Sequence, residues 1–104
     1  MAHPRQGEVY WANLDPAIGR EIRKRRPVLV VSPDEMNRNL ATVIAAPLTS
    51  KHRPWPTRCR VSYRGRSSSA ALDQIRCLDA ARLGERLAAI DAEPALRILR
   101  TMFA

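Results

Sequence analysis

Residues 57 to 64, TRCRVSYR, alternate strictly, and no other stretch constrains the fold as tightly. Thr57, Cys59, Val61 and Tyr63 fall on one face of an extended backbone, Arg58, Arg60, Ser62 and Arg64 on the other. One face can join a core while the opposite face presents three guanidiniums to water. A strand of this kind needs partners, and the rest of the chain must supply them.

The partners are legible as short runs between turn signals. Glu8–Leu14 contains Val9, Tyr10 and Trp11, residues suited to a strand, and Asp15-Pro16 with Gly19 then marks a loop. Val28–Val31 is a continuous apolar run, as expected of a strand buried on both faces. Ser32-Pro33-Asp34 ends it, Glu35–Leu40 reads as a helical turn or loop, and Ala41–Leu48 is the next strand. Gly65 and Ser67-Ser68-Ser69 read as a connecting loop, and Ala70–Leu78 as a further strand. About five strands with short links predict a small, curled antiparallel sheet or barrel. The period changes near the end. Asp91 suits an N-cap and Pro94 a first turn, while Ala92, Leu96, Leu99 and Phe103 recur at helical spacing, opposite Arg97 and Arg100. The fold class is therefore mainly β with helices (α+β): one domain over residues 1–104, closed by an amphipathic helix packed on the sheet.

Charge narrows the function. Eighteen Lys and Arg against ten Asp and Glu leave a net charge of +8, which points to a polyanionic partner, nucleic acid above all. The N-terminus lacks the apolar segment of a secretory signal, and no apolar run approaches the ~20 residues that span a bilayer, so the expected location is the cytoplasm, away from membranes. Cys59 and Cys77 read as buried thiols in a reducing compartment, with no structural metal and no cofactor implied.

The segment Asp15–Ser32, DPAIGREIRKRRPVLVVS, joins a charged loop to the buried strand, with Arg26-Pro27 at the seam. Proline holds the residue before it extended, so Arg26 sits at the base of a strand and not on a loop tip. A permanently charged fork in a defined place suits a phosphate. Metal-independent RNA cleavage requires a proton acceptor for the 2′-hydroxyl, donors for the phosphorane and support for the departing 5′-oxygen. His3 and His52 read as solvated residues, which leaves arginine, threonine and carboxylates. Arg26 can grip the phosphate and Thr49 donate to it, while Glu21 can orient Arg26 or receive a proton. Asp73 can serve in either role.

In order and spacing, GEVYWANLDPAIGREI, RRPVLVVS, Met36-Asn37 after Asp34-Glu35, ATVIAAPLTS and DQIRCLDAARL resemble the MazF/PemK-type toxin endoribonucleases of bacterial toxin–antitoxin systems. The resemblance covers nearly the whole chain. It implies a compact SH3-like antiparallel β-barrel with a C-terminal helix, working as a homodimer and cutting single-stranded RNA, chiefly mRNA, without a metal. The products would be 2′,3′-cyclic phosphate and 5′-hydroxyl ends. The family's essential arginine and threonine map onto Arg26 and Thr49, and its loop glutamate onto Glu21. Some relatives use an aspartate at the position of Asp73 as base, with an arginine two residues earlier and a histidine before the loop glutamate. Here those positions hold Ala71 and Arg20, which favours Arg26 with Thr49.

The expected RNA contacts are Arg20, Arg23 and Lys24 in the loop, Ser50, Lys51 and Arg53 after the Thr49 strand, and Trp55 between two prolines, which is either an exposed stacking platform or a loop anchor folded over the barrel. Arg58, Arg60, Arg64, Gln74 and Arg76 complete them, while Trp11 is expected in the core. A small acidic antitoxin is the implied protein partner. Two rivals share this sequence pattern. One is a non-catalytic nucleic-acid-binding module. The other is a gyrase-poisoning toxin on the same barrel, whose C-terminal Trp-Gly-Ile is replaced here by Thr101-Met102-Phe103-Ala104.

Overall fold

The computed structural model describes residues 3–104, and its curled antiparallel sheet has seven strands where the sequence suggests about five. The strands are β1 (Glu8–Asn13), β2 (Arg25–Val30), β3 (Thr42–Thr49), β4 (Arg58–Tyr63), β5 (Arg66–Ala71), β6 (Arg76–Asp79) and β7 (Leu83–Ala89). The helices are α1 (Asp34–Asn39) and α2 (Glu93–Met102). Spatial order is β4-β5-β3-β2-β1-β7, with β6 beside the first half of β3.

β2 is buried on both faces, as its apolar run predicts. Leu29 and Val31 join Val9, Leu48, Cys59 and Tyr63 in one cluster, while Val28 and Val30 join Leu14, Val43 and Leu78 in another. Full burial of each such side chain contributes about 1.5–3 kcal/mol, so this strand anchors both sides of the sheet. The alternation over residues 57–64 holds on one face, with Cys59 and Tyr63 buried.

β3 sets the geometry of the site. Thr42–Ala45 pair with β6, whereas Leu48 and Thr49 pair with Ala70 and Ser69 of β5. The chain crosses between those two partners through a 3₁₀ turn at Leu72–Gln74. Ala70–Leu78 is thus two strands and a turn, not one strand, because the register against β3 slips by three residues between Leu48↔Ala70 and Ala45↔Arg76, and the turn takes up the excess. The serine run is likewise strand, not loop: Arg64 and Gly65, at φ 48° and 71°, make a two-residue hairpin turn. Ser68 and Ser69 are then buried against β4, opposite Val61 and Arg60.

β7 has no counterpart in the sequence reading. Its composition, LGERLAA, carries little strand propensity, and its pairing to β1 is interrupted by register shifts. Tertiary contacts hold it: Arg86 Nε donates to Glu8 Oε2 at 2.6 Å, and the Tyr10 hydroxyl donates to Glu8 Oε1 at 2.8 Å. Burial and the Glu8 carboxylate together push the Tyr10 hydroxyl up to about 12. Gly7, at φ 91°, lets the chain enter β1 against the end of β7, since a Cβ there would lie 2.5 Å from the Ile90 carbonyl oxygen.

α2 packs on the first cluster through Ala95, with Leu96 and Leu99 beside it, and Asp91 Oδ1 accepts the Glu93 N–H at 3.0 Å at its start. Phe103 departs from the expected stripe: it lies past the last turn and is 73% exposed. Trp11 also departs from expectation, being half-buried in β1 and not part of the core. No helix among the described residues is long and apolar enough to cross a membrane.

Candidate active-site cleft

The β2–β3 ladder runs Val30↔Ala45, Leu29↔Ala46, Val28↔Pro47 and then stops. Pro27 and Pro47 both lack an N–H, so the two strands part where their donors run out. Continued by two residues, the same register sets Arg26 across from Thr49. A cleft of about 560 Å³ opens at this fork, lined by Arg26 and Thr49 together with Arg20, Glu21, Arg23, Ser50, Lys51, Arg53, Trp55, Arg58, Asp73 and Gln74. Ile22 adds an apolar wall that the sequence did not flag.

Arg26 is half-buried, and its Nε donates to the Arg23 carbonyl at 3.0 Å. That bond aims the guanidinium and leaves both Nη groups with no other hydrogen bond among the described residues. Thr49 is 8% exposed, and its Oγ1 accepts the Lys51 N–H at 3.2 Å, so the hydroxyl proton remains available to a third group. Glu21 lines the same cleft without touching Arg26. Its Oε1 accepts the Ile18 N–H at 2.6 Å, so it caps its own loop.

Asp73 lies on the opposite wall and is fully engaged. Its carboxylate accepts from Thr57 Oγ1 at 3.0 Å and from Arg58 Nε and Nη2 at 2.8 and 3.3 Å. Burial pushes this carboxyl up, but the Arg58 and Thr57 hydrogen bonds outweigh it and hold the group below its ordinary value. Arg58 in turn lies 4.6 Å from the ring centre of Trp55, and Arg53 lies 5.3 Å from it. With its side chain only 6% exposed, Arg58 steadies Trp55 from within the wall.

Other expected contacts turn out to fasten the 15–24 loop. Gln74 accepts the Ile22 N–H at 2.6 Å through Oε1 and donates to the Arg20 carbonyl at 3.3 Å through Nε2. Arg76 donates to the Leu14 carbonyl at 3.0 Å. Lys24, at φ 72°, closes the loop, its N–H bonded to Asp15 Oδ1 and its carbonyl to the Leu14 N–H. Arg82, absent from the sequence reading, donates to the Asn13 and Asp15 carbonyls at 3.2 and 2.9 Å. Nothing in the sequence signals Arg82, because its acceptors are main-chain groups nearly seventy residues earlier.

Arg60 and Arg64 project outside the cleft, Arg60 toward α2 and Arg64 at the β4–β5 turn. His52 is less free than its basic loop suggests: Nδ1 lies 2.6 Å from Ser69 Oγ, on the strand beside Thr49. Cys59 is buried and its thiol is pushed up by that burial, whereas Cys77 is exposed, against expectation. Among the described residues, no three His, Cys, Asp or Glu side chains converge as a metal site would require.

Fold and site together define a small basic protein of curled antiparallel sheet, a half-barrel, with a cationic cleft built around one aimed arginine. The chain belongs to the family of PemK-like, MazF-like toxins of type II toxin–antitoxin systems, whose model matches residues 5–102. It is 35% identical over 95 residues to the endoribonuclease EndoA of Bacillus subtilis, an overlap that covers 86% of this chain and 82% of that protein. The crystal structure of MazF from Deinococcus radiodurans superposes with a TM-score of 0.83 at 30% identity, covering 98% of this chain and 94% of that one. A mycobacterial endoribonuclease in complex with its cognate antitoxin superposes with a TM-score of 0.80 at 26% identity, covering 96% and 94%.

Proposed function

We propose that this chain is the toxin of a type II toxin–antitoxin pair. It is an endoribonuclease that acts in the cytoplasm as a homodimer, cutting single-stranded RNA, mainly mRNA, at short sequences without a metal. The observation that carries the site assignment is the β2–β3 fork, with the aimed guanidinium of Arg26 and the unspent hydroxyl proton of Thr49 on facing strands.

In this scheme the 2′-oxygen attacks the adjacent phosphorus, the P–O5′ bond breaks, and a 2′,3′-cyclic phosphate and a 5′-hydroxyl result. The two Nη groups of Arg26 hold the phosphoryl oxygens as charge builds, and Thr49 Oγ1 donates to one of them. Arginine has a pKa above ~12 and so keeps its proton at any working pH; it stabilises and does not act as base. Of the two carboxylates on the cleft, Asp73 is spent on Arg58 and Thr57, while Glu21 has no cationic partner among the described residues. Glu21 is therefore the better acceptor for the 2′-hydroxyl proton, and the departing 5′-oxygen takes its proton from water. Arg20, Arg23, Lys51 and Arg53 draw the RNA backbone in.

A cognate acidic antitoxin occupies the same cleft, for which a +8 toxin is electrostatically suited. The test is chemical. Purified protein is incubated with single-stranded RNA in EDTA, and the new ends are sequenced and typed. Cyclic phosphate ends that disappear with Arg26→Ala, and with added antitoxin, support the reading. Gel shifts without cleavage would instead identify a binding module.

A further inference from the structure

Trp11 lies on the same side of β1 as Val9, yet Val9 is fully buried while Trp11 is only half-buried. Arg25 covers its ring at 5.3 Å from the centroid. Two depressions meet at this indole. One, of about 260 Å³, is bounded by Arg25, Arg66, Ser68 and Tyr63, and it also includes Arg26 and Ser50 of the cleft wall. The other, of about 360 Å³, continues past Tyr63 to Arg64, Arg66 and Glu85. Arg25 and Arg66 are exposed, and neither is within ion-pair distance of a carboxylate among the described residues. Glu85, an acid lining this surface, likewise forms no ion pair among the described residues.

We propose that this surface is a second subsite for single-stranded RNA, taking the nucleotide that flanks the cleaved motif. The inference rests on the nuclease reading above. An RNA strand leaving the cleft over Arg26 and Ser50 meets a flat indole with cations on either side. Stacking on an aromatic face with phosphates held by arginine is the chemistry of sequence-tolerant single-strand binding. Arg25, now resting on the ring, gives way to a base and turns to its phosphate. Trp11 thus pairs with Trp55, with one stacking platform at each end of the Arg26–Thr49 fork.

The test uses a fluorescent oligoribonucleotide carrying the cleavage motif, with a 2′-deoxy sugar at the scissile position, and the same oligonucleotide lengthened at either end. In the wild type, lengthening at one end tightens binding by roughly five- to a hundred-fold, the range of one stacked base. Trp11→Phe reduces that gain and Arg66→Ala lowers its salt dependence. In a Trp55→Phe background the remaining Trp11 fluorescence is quenched by the longer oligonucleotide and not by the shorter. A gain that survives in both variants, or the absence of any gain, overturns the subsite. Quenching of Trp11 by the acidic partner protein but not by the longer oligonucleotide also overturns it. A Trp11-dependent gain with no cleavage of the matching all-ribose oligonucleotide supports the subsite and sinks the nuclease reading instead.

Discussion

Arg26 and Arg58 face the same cleft, but their surroundings are opposite. Arg58 is buried, doubly bonded to Asp73 and stacked on Trp55, so its charge is satisfied within the protein. Arg26 spends one N–H on the Arg23 carbonyl and leaves its fork open. In a cleft rich in cations, a side chain with partners builds the wall and a side chain without them is free for substrate. Net charge attracts RNA, but only an aimed, unsatisfied donor discriminates the transition state from the ground state.

The contrast can be broken first at Arg26. Loss of one preorganised donor typically costs a hundred- to a thousand-fold in rate, about 2.7–4 kcal/mol. Arg26→Ala is expected to lose at least that in kcat/KM while keeping its far-UV circular dichroism. Arg26→Lys keeps the charge but not the planar fork and should recover only a fraction of the lost rate. A folded Arg26→Ala protein that cleaves at the wild-type rate would remove the site assignment.

Asp73 should behave as wall. Asp73→Asn weakens the hold on Arg58 and is expected to cost about 1–3 kcal/mol of stability, read from urea unfolding. The sign of its pH dependence follows from a carboxyl held below its ordinary value of 3.8. Its contribution is complete above that value, where folded and unfolded chains are both ionised, and fades as the pH falls because the unfolded chain protonates first. The stability gap between wild type and Asp73→Asn should therefore be present at neutral pH and close below about pH 4. A gap unchanged at acid pH would deny the ion pair its role.

The smallest effect is expected outside the cleft. Arg60→Ala should weaken RNA binding only a few-fold and lower the salt slope by about 0.7, the value of one phosphate contact on a single strand. Cleavage by the bound complex should persist. A loss as large as that of Arg26→Ala would mean that cations outside the cleft, and not the fork, limit the reaction.

Much of this was readable in order along the chain. The two-sided burial of Val28–Val31, the alternation at 57–64 and the terminal helix follow from period and propensity, which are local properties. The serine run and β7 were not readable, since neither has strand propensity and both depend on their partners. Serines 68 and 69 become strand because the Arg64-Gly65 turn folds them onto β4. β7 becomes strand because β1 and the Glu8–Arg86 pair hold it.

The sequence by itself determined which residues carry charge and where the buried strand begins, because proline geometry and hydrophobic period act over a few residues. Only the tertiary structure decided that Arg26 is aimed with its fork open while Arg58 is spent on the wall. That depends on whether an aspartate fifteen residues away or a neighbouring carbonyl takes up the donors, and no local pattern records it.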